Sequence, residues 1–226
     1  NGPTLGINEH ENFSPASLLK LPMLLAYLSY AESHPGILDT QLEYDSYNDE
    51  LDQSIPPEKS LLPNTPYTIR DMLIYMIAYS DNRAYYALFN YLFQMSPVVD
   101  LLKDTYTRLG IIDPKSPFDQ TIEVKQYSSI FLQLYNASFF DTKESSEQAL
   151  ELLTRSTFDK GLVAGLPKGT AVAHKFGERS DFADGIRQLH DCGIVYLPGS
   201  PYLLCIMTRG RDMDTLAKTI ATISKM

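Results

Sequence analysis

Apolar residues recur with a helical period through most of the chain and with a strand-like period near its two ends. We expect helices over residues 17–32, 69–79, 84–92, 98–109, 124–137, 143–155, 161–166 and 213–226. We expect strands over residues 4–8, 171–176, 189–197 and 202–208. Strands at both ends of a mainly helical chain predict a discontinuous α/β lobe, residues 1–16 with 168–226, and an inserted all-helical lobe, residues 17–167. Residues 33–66 fit neither period and are expected to form a long ordered surface excursion.

Composition narrows the classes of function. The 226 residues are 44% apolar, enough for a full core, and carry a formal charge of −9 with a pI near 4.9. A chain this acidic repels phosphates, so we expect no nucleic-acid partner. The longest apolar stretch, residues 21–30, is interrupted by Pro22 and is too short for a transmembrane segment. Because the chain opens on Asn1 rather than Met, we expect that upstream residues have been removed.

The two cysteines lie in the last two predicted strands. If Gly199 and Ser200 form a two-residue hairpin loop, Cys192 faces Met207 and Cys205 is offset from Cys192 by one diagonal step on the opposite face. We therefore expect two buried free thiols, with a disulfide as the alternative.

A serine and a lysine three residues apart open the first predicted helix. On a helix this spacing places both side chains on one face, so Lys20 can reach the Ser17 hydroxyl. A serine becomes a good nucleophile when a base takes its proton, and a lysine is such a base only if its pKa is lowered toward neutrality. Unpaired backbone N–H groups at the helix start would face an anion formed there. The spacing alone is common, and a capping serine beside a solvated lysine is the simpler interpretation.

Two further motifs follow in order along the chain. Residues 80–82 read Ser-Asp-Asn at the junction of two predicted helices, and residues 175–177 read Lys-Phe-Gly at the end of a predicted strand. Each is common by itself and could be a cap, a turn or a solvated strand end. The ordered set of three, each at a junction where a site could form, is far more specific.

With these motifs the chain resembles the class A β-lactamase-like family, within the superfamily of serine β-lactamases and penicillin-binding proteins. The resemblance runs through residues 13–22, 79–88 and 165–179 and continues into the closing hairpin and helix. It implies a two-lobed fold with an antiparallel sheet flanked by helices and an inserted helical lobe. It also implies acyl transfer without a cofactor, with a small-molecule β-lactam or a D-alanyl-D-alanine-like peptidoglycan peptide as substrate.

The resemblance implies a role for each matching polar side chain. Ser17 would attack the substrate carbonyl and become acylated, with Lys20 as the proton acceptor. Ser80 would relay a proton to the leaving nitrogen, and Lys175 would supply a positive field that lowers the pKa of Lys20 and Ser80. Asn82 would hold the amide side chain of the substrate.

Three other polar groups complete the expected site. The oxyanion would be held by the backbone N–H groups of Ser17 and Glu178. Asp81 is expected to be structural, because its carboxylate can cap backbone N–H groups at the junction. The histidines lack metal-ligand spacing, so we expect no metal site, and His174 should point away from Lys175 because neighbours alternate along a strand.

The third motif ends on Gly177 as in the family but carries Phe176 where threonine or serine is usual. That hydroxyl commonly helps to bind the substrate carboxylate, which phenylalanine cannot do. Arg179 is our candidate for the anion contact instead, with Ser180 and Arg187 as weaker alternatives.

The family's loop glutamate, which activates the deacylating water, is the second departure. The corresponding residues 111–120 contain Asp113 and Asp119 but no glutamate. An aspartate is one methylene shorter and could not hold the same water without a backbone shift, although Glu123 is near in sequence. We therefore predict acylation followed by slow deacylation.

The start of the chain is the third departure. The family's sheet normally begins with a helix and a strand before the turn at residues 2–3, and both are absent here. The open sheet edge would pair with another chain or mark a trimmed start, so we expect a monomer unless that edge pairs. The resemblance implies an extracytoplasmic location, through an export signal or membrane anchor in a longer parent.

The sequence therefore predicts a serine acyl-enzyme hydrolase that behaves like a penicillin-binding protein or D-alanyl-D-alanine peptidase. The alternatives are an active β-lactamase with a non-standard deacylation route and a non-catalytic sensor or interaction domain on the same fold. Phe176 and the missing loop glutamate favour the non-catalytic domain. The intact polar set argues against it, because polar residues in a cleft would otherwise cost stability without purpose.

Overall fold

The computed structural model describes residues 2–44, 53–95, 100–111, 121–181 and 184–226. The helices are α1 (Lys20–Ser33), α2 (Ile69–Ala78), α3 (Asn82–Met95), α4 (Leu101–Leu109), α5 (Val124–Tyr135), α6 (Lys143–Leu153), α7 (Leu162–Gly165) and α8 (Met213–Ser224). The strands are β1 (Asn12–Phe13), β2 (Gln41–Glu43), β3 (Pro66–Thr68), β4 (Ile122–Glu123), β5 (Ala171–Ser180), β6 (Arg187–Tyr196) and β7 (Tyr202–Gly210). Short 3₁₀ helices cover Ala16–Leu19 and Pro35–Asp39.

Strands β5, β6 and β7 form one antiparallel sheet in that order. Side chains alternate between its two faces, so each face can be covered separately. One face carries Val172, Phe176, Leu189 and Ile206 and packs against α7 and α8. The other face contacts α5 and the 3₁₀ helix Ala16–Leu19. A sheet flanked by helices on both faces confirms the predicted α+β fold.

Helix α1 lies at the centre of the larger core. Every residue from 20 to 28 is buried, because α1 is surrounded by α2, α4 and α6. Pro22 is tolerated because it falls in the first turn, where its missing N–H has no partner within the helix. Neither α1 nor any other helix in the described part of the chain is long and apolar enough to cross a membrane.

Two helix ends follow the local signals in the sequence. The Thr68 hydroxyl accepts the Asp71 N–H at 3.0 Å and the Asp71 carboxylate accepts the Thr68 N–H at 3.3 Å, a reciprocal cap that starts α2. Gly110 ends α4 with φ of +70°, a left-handed conformation that glycine adopts without strain. These boundaries confirm the predicted start of one helix and end of another.

The predicted strand over residues 4–8 is wrong. The first strand is instead β1, which pairs with β4 so that Asn12 faces Glu123. Leu5 and Ile7 are 88% and 78% exposed. An alternating pattern becomes a strand only where a neighbouring strand and an apolar surface accept it, and in the described part of the chain residues 4–8 pair with no strand and leave their apolar side chains exposed.

The two cysteines form the disulfide Cys192–Cys205, so the prediction of two free thiols is wrong. Cys192 and Cys205 stand directly opposite each other in the register of β6 and β7. The turn between these strands spans residues 197–200 and is closed by a hydrogen bond between its end residues at 3.1 Å. The prediction failed because it assumed a two-residue loop, and loop length fixes hairpin register.

Candidate active site

Ser17 lies on the 3₁₀ helix Ala16–Leu19, which leads directly into α1 at Lys20. Side chains three residues apart superimpose on a 3₁₀ helix, and Lys20 Nζ lies 3.1 Å from Ser17 Oγ. The helix predicted over residues 17–32 thus begins with a tighter turn. Ala16 has φ of +46°, a conformation that costs a non-glycine residue about 1 to 3 kcal/mol and is held in place by its surroundings.

The second motif forms the elbow between α2 and α3. Ser80, with φ of +55°, is almost fully buried. The Asp81 carboxylate accepts hydrogen bonds from Ser60 Oγ at 2.7 Å, the Leu61 N–H at 2.9 Å and the Arg83 N–H at 3.1 Å. Asp81 therefore links the elbow to the segment at Ser60 and Leu61, which is the structural role that the sequence predicted.

Lys20 Nζ is the centre of the polar network. It lies 2.5 Å from the Ser80 carbonyl oxygen, 2.6 Å from Asn82 Oδ1, 3.1 Å from Ser17 Oγ and 3.2 Å from Ser80 Oγ. The carbonyl and amide oxygens can only accept, so they take two N–H groups of the amine. The remaining position on the nitrogen faces the two hydroxyls. When Lys20 is neutral, its lone pair can accept a proton from either one.

Burial sets the protonation of Lys20. It lowers the pKa of Lys20 from its ordinary 10.5 to about 7, against the opposing attraction of the Asp81 and Glu178 carboxylates. The resemblance attributed this lowering to Lys175, whereas in the structure removal from water is the main cause. A substantial fraction of Lys20 is therefore neutral at physiological pH.

Lys175 reaches the same hydroxyl from within β5. This strand continues to Ser180, so the prediction that the third motif lies at a strand end is wrong. Its Nζ donates to Ser80 Oγ at 2.9 Å and to the Phe176 carbonyl oxygen at 2.8 Å. Burial lowers the pKa of Lys175 well below its usual range, and the charge on Lys20 lowers it further. Ser17, Lys20, Ser80 and Lys175 are thus joined by continuous hydrogen bonds, with the Asn82 amide bound to Lys20.

Gly177 permits the sheet to approach the serine turn. A Cβ at this position would lie 2.9 Å from both the Pro15 carbonyl oxygen and Leu18 Cγ, closer than real Cβ atoms come. The backbone of β5 therefore lies directly against the turn that carries Ser17. Glu178 is the next residue along this strand, so its backbone is placed near the turn as well.

The side chains of Glu178 and Arg179 bind other segments. Glu178 Oε1 accepts the Ser54 N–H at 2.7 Å and the Ile55 N–H at 3.3 Å. Arg179 Nη1 donates to Ser14 Oγ at 3.1 Å. Contact between Arg179 and a substrate anion stays a prediction.

Phe176 belongs to the core on the other face of the sheet. Its ring is 4% exposed and stacks on Phe158, with centroids 4.1 Å apart and planes 20° apart. The aromatic pair fills space beneath α7 and α8. This packing gives a physical reason for an aromatic residue in place of the family's hydroxyl.

His174 points away from Lys175, as alternation along the strand predicted. Its Nδ1 lies 2.8 Å from Asp191 Oδ1, and Asp191 Oδ2 accepts the Leu162 N–H at 2.9 Å. A Cβ at position 161 would lie 2.3 Å from that carboxylate, which explains the glycine there. This buried acid and imidazole form a polar unit behind the site.

Sequence reasoning missed two residues at the site. Gln53 Nε2 donates to the Ser80 carbonyl oxygen at 3.2 Å, and Tyr127 Oη donates to the Leu18 carbonyl oxygen at 3.1 Å. Gln53 comes from the irregular excursion, where no periodic pattern marks a position. Tyr127 lies on the buried face of α5, where the sequence signal is that of a core residue.

Comparison with known proteins identifies the family. A profile of the β-lactamase enzyme family matches residues 1–226. The chain belongs to this family of serine hydrolases. A β-lactamase from Bacteroides uniformis is 26% identical over 243 aligned positions, which cover 100% of this chain and 81% of the relative. The β-lactamase VEB-1 from Pseudomonas aeruginosa is 25% identical, and the match covers 99% of this chain and 79% of the relative.

Solved structures share the β-lactamase-family fold. A β-lactamase from Chitinophaga pinensis has a TM-score of 0.81 at 23% identity, covering 99% of this chain and 87% of that one. A mutant of PBP-A, solved as an acyl-enzyme complex with penicillin G, has a TM-score of 0.76 at 21% identity, covering 98% of this chain and 82% of that one. At these identities the likeness establishes the fold.

Proposed function

We propose that this β-lactamase-family hydrolase forms an acyl-enzyme on Ser17 with β-lactams or with D-alanyl-D-alanine-like peptides. The observation that carries the proposal is the hydrogen-bond chain from Ser17 Oγ through Lys20 Nζ and Ser80 Oγ to Lys175 Nζ, with steps of 3.1, 3.2 and 2.9 Å. Burying such a polar chain costs desolvation free energy. A proton path between the nucleophile and the leaving group is a functional reason for burying these polar groups at that cost in free energy.

Lys20 is the base in the proposed acylation, because its pKa of about 7 leaves much of it neutral at physiological pH. Ser17 Oγ attacks the substrate carbonyl carbon while its proton passes to the lone pair of Lys20 Nζ. When the C–N bond breaks, Ser80 gives its hydroxyl proton to the leaving nitrogen. Lys20 then returns a proton to Ser80, so the step consumes no proton overall.

Backbone and amide groups hold the substrate in this proposal. The N–H groups of Ser17 and Glu178 bind the oxyanion, and the close approach of β5 at Gly177 supports that placement. Because Asn82 Oδ1 accepts from Lys20 at 2.6 Å, the Asn82 amide nitrogen is turned toward a different partner. We assign that nitrogen to the acyl-amide oxygen of the substrate.

We further propose that deacylation is slow, as in a penicillin-binding protein. Residues 111–120 contain no glutamate, and the candidates Asp113 and Asp119 lie outside the described residues. The remaining candidate is Glu123, whose carboxylate oxygen Oε2 is hydrogen-bonded to His10 Nδ1 at 3.0 Å. The competing proposal is a working β-lactamase with a non-standard water activator, which the names of the two curated relatives favour.

A non-catalytic sensor domain is the second candidate function. Phe176 favours it, because its ring is packed in the core and offers no hydroxyl to a substrate. Such a domain would bind a β-lactam or a peptide without a covalent bond to Ser17.

The proposal extends to organisation and location. We propose a division into an α/β lobe, residues 1–16 with 168–226, and a helical lobe, residues 17–167, that meet at the site. The outer strands of the three-stranded sheet, β5 and β7, are the edges at which pairing with a further strand would occur. An extracytoplasmic location is supported by the family alone.

Labelling by a fluorescent penicillin tests the proposed function. Wild-type protein and a matched control, Ser138→Ala at an exposed serine, should carry the label through denaturing electrophoresis. Ser17→Ala should carry none. Equal labelling of Ser17→Ala would contradict the assignment of the nucleophile, and a ligand bound only before denaturation would favour the sensor domain.

A further inference from the structure

Ser14, three residues before the nucleophile, is held at each of its polar groups by a side chain of the sheet. Its N–H donates to Gln188 Oε1 at 3.0 Å, and its Oγ accepts from Arg179 Nη1 at 3.1 Å. Its carbonyl oxygen lies 3.0 Å from His190 Nε2. Such complete engagement fixes both the position and the rotation of this residue.

A fourth sheet residue binds the same segment. Arg209 Nη2 donates to the Asn12 carbonyl oxygen at 2.7 Å, and the guanidinium lies over the Phe13 ring, 4.9 Å from its centroid. The Phe13 ring meets the His190 ring edge-on, with centroids 5.3 Å apart. Each of residues 12–14 is therefore in contact with at least one side chain of the sheet.

These four side chains, Arg179, Gln188, His190 and Arg209, are called here the Ser14 clamp. In the sheet register Arg179 pairs with Gln188, Gln188 with Arg209, and His190 with Gly177. Paired residues project from the same face of a sheet. The clamp and the close contact at Gly177 thus form one surface that faces the nucleophile turn.

The chain between the clamp and the nucleophile needs such support. Strand β1 has only two residues, so backbone pairing alone holds little of this segment. Ala16, directly before Ser17, has φ of +46°. A non-glycine residue keeps a left-handed conformation only where its surroundings over-determine it, and the clamp supplies the constraint on the N-terminal side.

His190 serves the clamp as a neutral donor. Its Nδ1 accepts the Thr208 N–H at 3.3 Å, so the ring proton lies on Nε2 and is donated to Ser14. Burial, with a smaller contribution from the charge of Arg209, lowers the pKa of His190 to about 4 against the opposing effect of hydrogen bonds to the Ser14 and Leu189 backbone. The donor is therefore unchanged over the pH range in which Lys20 titrates.

We propose that the Ser14 clamp is a positioning device that holds Ser17 Oγ in reach of Lys20 Nζ. The inference rests on the proposed acyl-transfer function and assigns a part in it to residues outside the three motifs. A loosened segment would let Ser17 drift from its base and its oxyanion donors. Displacements of about 1 Å from a reactive geometry can cost on the order of 100-fold in rate.

Two variants of His190 separate positioning from simple stability. His190→Leu removes the donor, whereas His190→Gln places a neutral N–H donor near the position of Nε2. Stopped-flow measurement with benzylpenicillin gives the dissociation constant and the acylation rate constant separately. For His190→Leu we expect the rate constant to fall about 10- to 100-fold with the dissociation constant within about 2-fold. His190→Gln should recover most of the rate.

Matched controls complete the experiment. Leu204→Ala lies on the opposite face of β7 and should lower the melting temperature while leaving the acylation rate constant near the wild-type value. Ser14→Ala removes the contact between the Ser14 hydroxyl and Arg179, keeps the backbone contacts of Ser14, and should slow acylation a few-fold. If His190→Leu does not fold, Ser14→Ala and Gln188→Leu carry the same test.

A fluorophosphonate that labels activated serines provides a second reagent. A folded His190→Leu variant that acylates with the wild-type rate constant would overturn the clamp. So would a fall in the acylation rate constant of His190→Gln or Leu204→Ala that is as large as in His190→Leu. Wild-type protein that reacts with the fluorophosphonate but not with benzylpenicillin would contradict the proposed substrates while the same variants still test the clamp. Wild-type protein that reacts with neither would overturn both.

Discussion

Lys175 Nζ donates to Ser80 Oγ at 2.9 Å across 95 residues of chain, so the sheet and the helical elbow meet at one hydroxyl. The same hydroxyl lies 3.2 Å from Lys20 Nζ. It can therefore receive a proton from one amine while it gives its own to a leaving group.

Removal of this hydroxyl should slow acylation more than it weakens binding. General acid catalysis typically contributes about 10²- to 10⁴-fold, so we expect Ser80→Ala to lower the acylation rate constant by about 100-fold or more. The dissociation constant for benzylpenicillin should change little. A variant that acylates at the wild-type rate would remove Ser80 from the proton path.

The acylation rate should rise with pH through neutrality. Lys20 acts in its neutral form, and burial lowers its pKa to about 7. Below that pH the neutral fraction falls about tenfold per unit, so the rate should fall in proportion, and above it the rate should level off. Acylation rate constants measured from pH 5 to 9 check this. A rate that falls as pH rises through 7 would mean that the charged lysine is required.

A methyl group at position 177 should disturb the contact between sheet and nucleophile turn. The new Cβ would lie 2.9 Å from the Pro15 carbonyl oxygen. Overpacking of this kind typically costs about 1 to 3 kcal/mol, so Gly177→Ala should lower both the free energy of unfolding and the acylation rate constant. Gly36→Ala is the matched control, because no atom lies within 4 Å of a Cβ there. Identical behaviour of the two variants would contradict the close approach.

The buried pair of His174 and Asp191 should contribute to the free energy of unfolding. Asp191 accepts hydrogen bonds from His174 and from the Leu162 N–H and is fully buried. Leaving a buried hydrogen-bonding group without its partner typically costs about 1 to 3 kcal/mol. Because Asp191→Ala removes the partner of both His174 and the Leu162 N–H, we expect it to lower the free energy of unfolding by about 2 kcal/mol or more. Asp104→Ala, at an exposed helical pair with Arg108, should change it by less than about 0.5 kcal/mol. Urea denaturation of the two variants tests the difference.

Local signals in the sequence were sufficient for much of the fold and for the centre of the site. The spacing of Ser17 and Lys20, the cap at Thr68 and the end of α4 at Gly110 each depend on residues a few positions apart. The polar elbow at residues 80–82 is likewise a local feature. Their predictions therefore needed no knowledge of the tertiary contacts.

The features that could not be predicted depend on distant partners or on register. The Cys192–Cys205 disulfide follows from the length of one turn. Residues 4–8 have no pairing strand among the residues that the structure describes, although their pattern requires one. Ser14 is bound by side chains 165 to 176 residues away, which no local pattern relates to it. In the motif, Phe176 stands where the family has a hydroxyl and suggests a lost substrate contact. In the fold, its ring packs on Phe158.

The most direct test of the central claim is the intact mass of the protein, followed over time with excess benzylpenicillin. We predict one covalent penicillin per wild-type chain, an adduct that persists after free drug is removed, and no adduct on Ser17→Ala. An adduct that disappears while drug is consumed would contradict slow deacylation and identify a working β-lactamase. No adduct on the wild-type protein would contradict the acyl-enzyme itself.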